Sequence, residues 1–176
     1  MVHTFHGMPP LSPDDLFAYL DSLDIRHKTV QHRPAFTVED LDALVGKVAG
    51  AHAKNLFLRD KKGTLYLVVA PKDAVIELKS LHRVLDASGR FSFASADTMR
   101  EVLGVEPGSV TPFAVINDKA CRVTVVLDAG MMAQPVLNFH PLVNTATTTV
   151  SREDLVKFLE STGHAPRIAA VSTPPA

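Results

Sequence analysis

Apolar residues recur along this chain at two spacings, one helical and one alternating, and the two are interleaved. Ser12 stands before Pro13, Asp14 and Asp15, and Leu16, Tyr19, Leu20 and Leu23 follow at helical intervals. This predicts a helix over residues 12–23 with a serine cap and a proline at its first position. His27–His32 reads as a short strand, and Thr37 caps a second helix whose apolar face holds Leu41, Leu44 and Val45 and which ends near Gly46. The plainest signal is a hairpin: Asn55–Arg59 and Thr64–Ala70, rich in apolar and β-branched residues, flank Asp60-Lys61-Lys62-Gly63. Leu78, Leu81, Val84 and Leu85 predict a further helix, and Met99, Val102 and Leu103 another that starts near Asp97. Phe113–Asn117, Arg122–Leu127, Val136–Phe139 and Thr145–Val150 read as strands. Ser151 caps a last helix, after which the proline-ended tail carries no periodicity.

Strands and helices intermix without strict alternation. The expected fold class is therefore α+β, or mixed α/β: a central mixed, largely antiparallel sheet covered by helices. A chain of 176 residues, 46% of them hydrophobic, suits one compact domain. That domain is expected to span residues 1–163, with 164–176 as a flexible C-terminal tail. With 6% aromatic residues and no Trp, the core should be built on Val, Leu, Ala and Ile, with nine Phe as its largest pieces.

Charge and cysteine content narrow the function classes. A net charge of -1 argues against a protein that coats nucleic-acid phosphates, and against a DNA binder of that type. The charge is unevenly placed, however. Between Lys54 and Arg90 lie eight Lys and Arg against four Asp and Glu, a basic block that hints at a phosphate-bearing partner, although each residue singly reads as solvated surface. The single cysteine, Cys121, has no partner for an internal disulfide and no zinc-type spacing beside it. The first residues lack the basic start and apolar run of a signal peptide, and no apolar run approaches the roughly 20 residues of a membrane span. A cytoplasmic protein without membrane contact is expected.

No GxSxG turn, P-loop, GxGxxG, HExxH or compelling carboxylate pair is present. Three short stretches remain. Lys54, followed by Asn55, stands at the mouth of a strand, where an ammonium can hold a phosphate or a developing oxyanion. Gly108-Ser109-Val110-Thr111-Pro112 is a GxxxP loop, in which glycine permits close backbone approach and proline fixes the exit, leaving N–H groups free for a ligand. His140, before Pro141, leads into a polar run with Asn144 and several threonines that can line a small pocket. Each has an ordinary structural reading too: a surface lysine, a strand-entering turn, a satisfied histidine beside a threonine-rich strand.

In this order, KNLFLRDKKG, the GSVTP loop and FHPLVNTATTTVS resemble the YbaK/ProX family of trans-editing deacylases, relatives of the editing insertion of bacterial prolyl-tRNA synthetases. The resemblance runs from Leu11 to Gly163. With LFAYLDSLDIRHKTVQHRPAFTVEDL at the N-terminus, the pattern is nearest to the alanyl-specific branch, ProXp-ala or PrdX. The resemblance implies a YbaK-like fold and a hydrolase that removes alanine from proline tRNA, with cysteine- or serine-specific deacylation and a non-catalytic tRNA-binding module as the alternatives. It implies that Lys54 is the functional lysine, Asn55 helps place the substrate, residues 108–112 cradle the aminoacyl ester at the terminal adenosine, and His140 sits on the pocket wall. It also implies no metal and no cofactor, water as the attacking group, mischarged tRNA as partner and prolyl-tRNA synthetase as a transient one. An aminoacyl ester is already activated, so positioned water and a few donors suffice. An ammonium at Lys54 suits electrostatic or positioning work better than proton abstraction.

Overall fold

The computed structural model describes residues 9–34 and 50–174 of the chain. Helix α1 (Pro13–Ser22) starts where the cap signal places it. Ser12 Oγ accepts from the Asp15 N–H at 3.2 Å and Asp15 Oδ2 accepts from the Ser12 N–H at 2.9 Å, a reciprocal capping box. Its inward stripe, Leu16 and Leu20, is fully buried. The helix expected after Thr37 lies outside the described residues.

Strand β1 (Lys28–Gln31) is followed by β2 (Ala51–Arg59) and β3 (Leu65–Pro71), the expected hairpin. Leu56 lies opposite Val68 and Leu58 opposite Tyr66. Then come α2 (Leu78–Val84), the two-residue β4 (Ser92–Phe93), α3 (Ala96–Leu103), β5 (Val123–Asp128), β6 (Val136–Phe139), β7 (Ala146–Ser151), α4 (Arg152–Ser161) and β8 (Arg167–Ala169). They form one mixed sheet in the order β1-β7-β6-β2-β3-β5-β8, with β4 paired to the far end of β2. The β6–β2, β3–β5 and β5–β8 pairs are parallel and the others antiparallel. Central β3 is buried along nearly its whole length, because both of its edges and both of its faces are covered.

Two apolar clusters cover the two faces. The larger joins Phe57, Leu67 and Val69 to α1, α4 and the Phe113, Phe139 and Phe158 rings. The smaller joins Leu58, Tyr66 and Val68 to Leu81, Leu85, Val126 and Val171. Alternation along β2 therefore assigns odd positions to the first face and even positions to the second.

Two expectations are corrected. Pro112–Asn117, read from Phe113 onward as a strand, is a 3-10 helix: Pro112 occupies its first turn, and Thr111 Oγ1 accepts from the Phe113 N–H at 3.3 Å. Phe113, Ala114, Val115 and Ile116 are all buried, and a short run buried on every side carries no period by which to tell strand from helix. The aperiodic tail contributes β8, parallel to β5, and Val171, 6% exposed, packs in the smaller cluster. An edge strand of three residues is too short to show alternation.

Candidate active site

Adjacent in sequence, Lys54 and Asn55 face opposite ways. Lys54 pairs across the hairpin with Ala70, and its ammonium donates to the carbonyl oxygen of Ala74, in the segment that leaves β3. Asn55 pairs with Val69 on the face of the larger cluster, and its buried Oδ1 has no hydrogen-bond partner. A buried carbonyl oxygen without a donor costs on the order of 1–3 kcal/mol, so Asn55 holds an acceptor open at the cost of stability.

The larger-cluster face also receives the GxxxP loop. Pro107 and Gly108 form a tight turn in which the Ser109 N–H donates to Glu106 O at 3.0 Å, and Gly108 takes φ +92, a left-handed conformation that favours glycine. Gly108 is exposed, Ser109 is 6% exposed, and Thr111 is fully buried. Because the Ser109 and Phe113 N–H groups are engaged and Thr111 is fully buried, the loop offers the N–H groups of Gly108 and Val110, which have no acceptor among the described residues. Phe113, just past Pro112, meets the Phe139 ring edge-on at a centroid distance of 5.9 Å. Phe139 is the neighbour of His140, so the loop and the end of β6 are packed together.

His140 has its Nδ1 3.1 Å from Ala146 O, and its ring centroid is 6.4 Å from that of His32. Burial lowers the His140 pKa, and the charges of His32 and His52 push the same way, against the Ala146 carbonyl that favours the protonated ring. His32 Nε2 lies 2.8 Å from Thr147 Oγ1. The backbone past His140 is strained: Leu142, 7% exposed, has φ +69, a region that a bulky side chain occupies at a cost of about 1–3 kcal/mol. Asn144 lies part-exposed in the turn that joins β6 to β7. Among the described residues no group of three His, Cys, Asp or Glu is arranged to hold a metal ion, and no helix is long and apolar enough to cross a membrane.

A model of the aminoacyl-tRNA editing domain matches residues 32–158, and those residues carry the lysine, the GxxxP loop and the histidine just described. The chain belongs to the aminoacyl-tRNA editing domain family. As a member it is an aminoacyl-tRNA deacylase. The editing domain is similar to the prolyl-tRNA editing protein ProX of Acetoanaerobium sticklandii, 39% identical over 150 residues that cover 85% of this chain and 91% of that one. It is also similar to prolyl-tRNA synthetase associated domain-containing protein 1 of Xenopus laevis, 40% identical over 158 residues, 88% of this chain and 94% of the relative. A solved structure described provisionally as a trans-editing enzyme for prolyl tRNA synthetase superposes with a TM-score of 0.70 at 20% identity, over 93% of this chain and 99% of the other. That likeness establishes a shared fold, the mixed sheet with covering helices expected from the intermixed strands and helices.

In the editing domain the sequence-derived residues thus divide into two groups. The Gly108–Pro112 loop and the root of His140 gather around the Phe113–Phe139 contact and Asn55 lies on the same face of the sheet, whereas Lys54 reaches the other face, and no hydrogen bond joins it to the loop among the described residues. Asn144 and the threonines after His140 are legible in the motif, but Asn138 before it is given no role there. Asn138, 3% exposed, lies between Leu137 and Phe139 on a strand, accepts from Thr149 Oγ1 and donates to Ala51 O at 3.3 Å. A buried Asn at a period-two position in an apolar strand is the signal that marks it.

Proposed function

We propose that this editing domain hydrolyses mischarged proline tRNA in trans, with alanine as the amino acid removed. What carries the reading is the near full-length similarity, 39% over 91% of its own length, to a protein named for prolyl-tRNA editing. The resemblance of the N-terminal LFAYLDSLDIRHKTVQHRPAFTVEDL, with the three motifs, to the alanyl-specific branch supports the choice of alanine. In the reaction a water oxygen bonds to the ester carbonyl carbon, the ester C–O bond breaks, and free amino acid and the terminal ribose hydroxyl leave. On the larger-cluster face Asn55 and the Gly108 and Val110 N–H groups supply placement and donors for the ester; Lys54, whose ammonium lies on the other face, supplies positive charge toward the substrate's phosphates; Ser109 and Thr111 act as packing, and His140 and Asn144 as pocket wall. Such donors, fixed before the substrate arrives, stabilise the developing oxyanion without reorganisation.

A basic corner supports tRNA as the substrate. The Asp60 carboxylate, 5% exposed, accepts from the N–H groups of Lys62 at 3.0 Å, Thr64 at 2.9 Å and Ser88 at 3.2 Å, and Lys61 N–H donates to Ser88 O at 2.8 Å. The hairpin tip is thereby fastened to the loop before Arg90. Arg59, Lys61, Lys62 and Arg90 are exposed there and have no carboxylate partner among the described residues. Unneutralised cations at one corner suit the phosphates of an acceptor stem.

The deciding experiment presents proline tRNA charged with alanine, cysteine, serine or proline and follows amino-acid release. Fast release of alanine and sparing of proline is the expected result; release of cysteine or serine instead moves the specificity, and binding without release reduces the protein to a tRNA-binding module. Activity should survive exhaustive chelation. Cytoplasmic residence and transient association with prolyl-tRNA synthetase follow from the same reading.

A further inference from the structure

The segment Ala169–Pro174 lies beyond the family-matched residues 32–158. It is nevertheless tied to the body of the protein at three successive points. Ala129 N–H donates to Ala169 O at 2.9 Å; Val171 N–H donates to Asp128 Oδ1 at 3.1 Å; and Thr173 exchanges two backbone hydrogen bonds with Val75, each 2.9 Å. Asp128 is 2% exposed, and its other oxygen accepts from Met131 N–H at 3.1 Å, so its carboxylate is fully committed to holding backbone. Val171 fixes the strap further by packing against the smaller cluster.

What the strap holds matters for the site. Val75 is the next residue after Ala74, whose carbonyl receives the Lys54 ammonium. The same strap and the Pro71–Ala74 segment are walls of a cavity of about 650 Å3 that also takes in Gly50, His52 and Asp128. Pro71–Ala74 is otherwise anchored at its start by Lys72 N–H donating to His52 O at 3.0 Å and, locally, by Ala74 N–H donating to Pro71 O at 3.0 Å. Without Thr173, nothing among these backbone bonds restrains the chain immediately beyond Ala74.

We infer that the C-terminal strap is a positioning element for Lys54: Thr173 fixes Val75, Val75 fixes the Ala74 carbonyl, and that carbonyl sets where the ammonium stands. This rests on the reading that Lys54 serves the editing reaction. A long side chain with three donors has many rotamers, and a fixed acceptor selects among them.

Two variants of the full chain test this. Truncation after Val171 removes Thr173 but keeps the Asp128 and cluster contacts; Thr173→Pro keeps the whole chain but removes the N–H given to Val75 and constrains the backbone at that point. Three quantities are read: kcat and KM for alanine release, the unfolding midpoint, and the Lys54 ammonium signal in 1H–15N NMR. The expected result in both variants is a fall in kcat of about tenfold, KM within about twofold, an almost unchanged midpoint, and loss or broadening of the Lys54 signal. Unchanged kcat with an unchanged Lys54 signal overturns the inference, as does a kcat loss that merely follows a lowered midpoint. A wild-type protein that releases no amino acid refutes the functional reading instead, and the NMR measurement then still decides whether the strap holds Lys54.

Discussion

The Lys54 ammonium donates to the Ala74 carbonyl, which makes the family's lysine a bridge between β2 and the segment leaving β3 rather than a cation free in a cleft. This bond gives Lys54 both a structural and a functional role, and the two separate by magnitude. A single hydrogen bond from a charged donor contributes about 1.5–3 kcal/mol to stability.

Lys54→Ala should therefore lower the unfolding midpoint by about 3–12 °C without unfolding the protein at ordinary assay temperature, since about 1 kcal/mol moves it roughly 2–4 °C in a chain of this size. Deacylation should fall by about a hundredfold or more, an effect of roughly 2.7 kcal/mol on the barrier. Thermal unfolding and initial rates on the same preparation check this; retained turnover removes Lys54 from the site.

Asn55 makes the opposite stability prediction. Its buried Oδ1 lacks a donor, so Asn55→Leu should leave stability unchanged or raise it by about 1 kcal/mol. If the substrate supplies the missing donor, the same change lowers kcat/KM by about tenfold. A variant as active as the parent shows that the carboxamide is not used.

In the GxxxP loop, Ser109→Ala should be nearly silent in rate, because the Ser109 backbone N–H and not its hydroxyl makes the recorded bond. Gly108→Val forces a branched residue to φ +92, at a cost of about 1–3 kcal/mol, and narrows the approach to the main chain. The rate per folded molecule should fall well beyond what the stability loss explains. A dead Ser109→Ala enzyme points to a serine nucleophile.

The lowered pKa of His140 predicts the pH dependence of stability. The folded protein binds this proton less readily than the unfolded chain, whose histidine titrates near 6.5 by reference. Between the depressed value and about 6.5 the unfolded state carries more protons, so stability rises with pH across that window and the penalty is complete below it. Midpoints measured between about pH 5 and 7 should show this slope, and His140→Gln should flatten it.

Asp118 and His164, both 4% exposed and 2.9 Å apart, fasten the turn after the 3-10 helix to the end of α4. Burial alone would raise the Asp118 pKa; bonds from His164 and from the N–H groups of Arg122 and Val123 outweigh it and leave it lowered. The contribution is present above the unfolded value of about 3.9 and lost as pH falls through the folded one. Asp118→Ala should cost about 3 kcal/mol, with the rate per folded molecule unchanged. Chemical denaturation at neutral pH measures it.

The sequence by itself determined what local chemistry decides. The Ser12 capping box, the β2–β3 hairpin about its glycine turn, the cap of α4 and the glycine that turns the loop before Ser109 each depend on residues within a few positions of one another. The family, too, was legible, because its lysine, GxxxP loop and histidine keep their order along the chain. Only the tertiary structure decided which way those residues face. Lys54 and Asn55 part because adjacent strand residues alternate, and which face receives which depends on clusters assembled from distant segments. The tail became β8 and a strap because Asp128 reaches Val171 across 43 residues and Thr173 meets Val75; the 3-10 helix replaced a strand because Phe113–Ile116 is buried on every side. Contacts over such separations are set by packing and by the need of buried polar groups for partners, and neither leaves a period in the sequence.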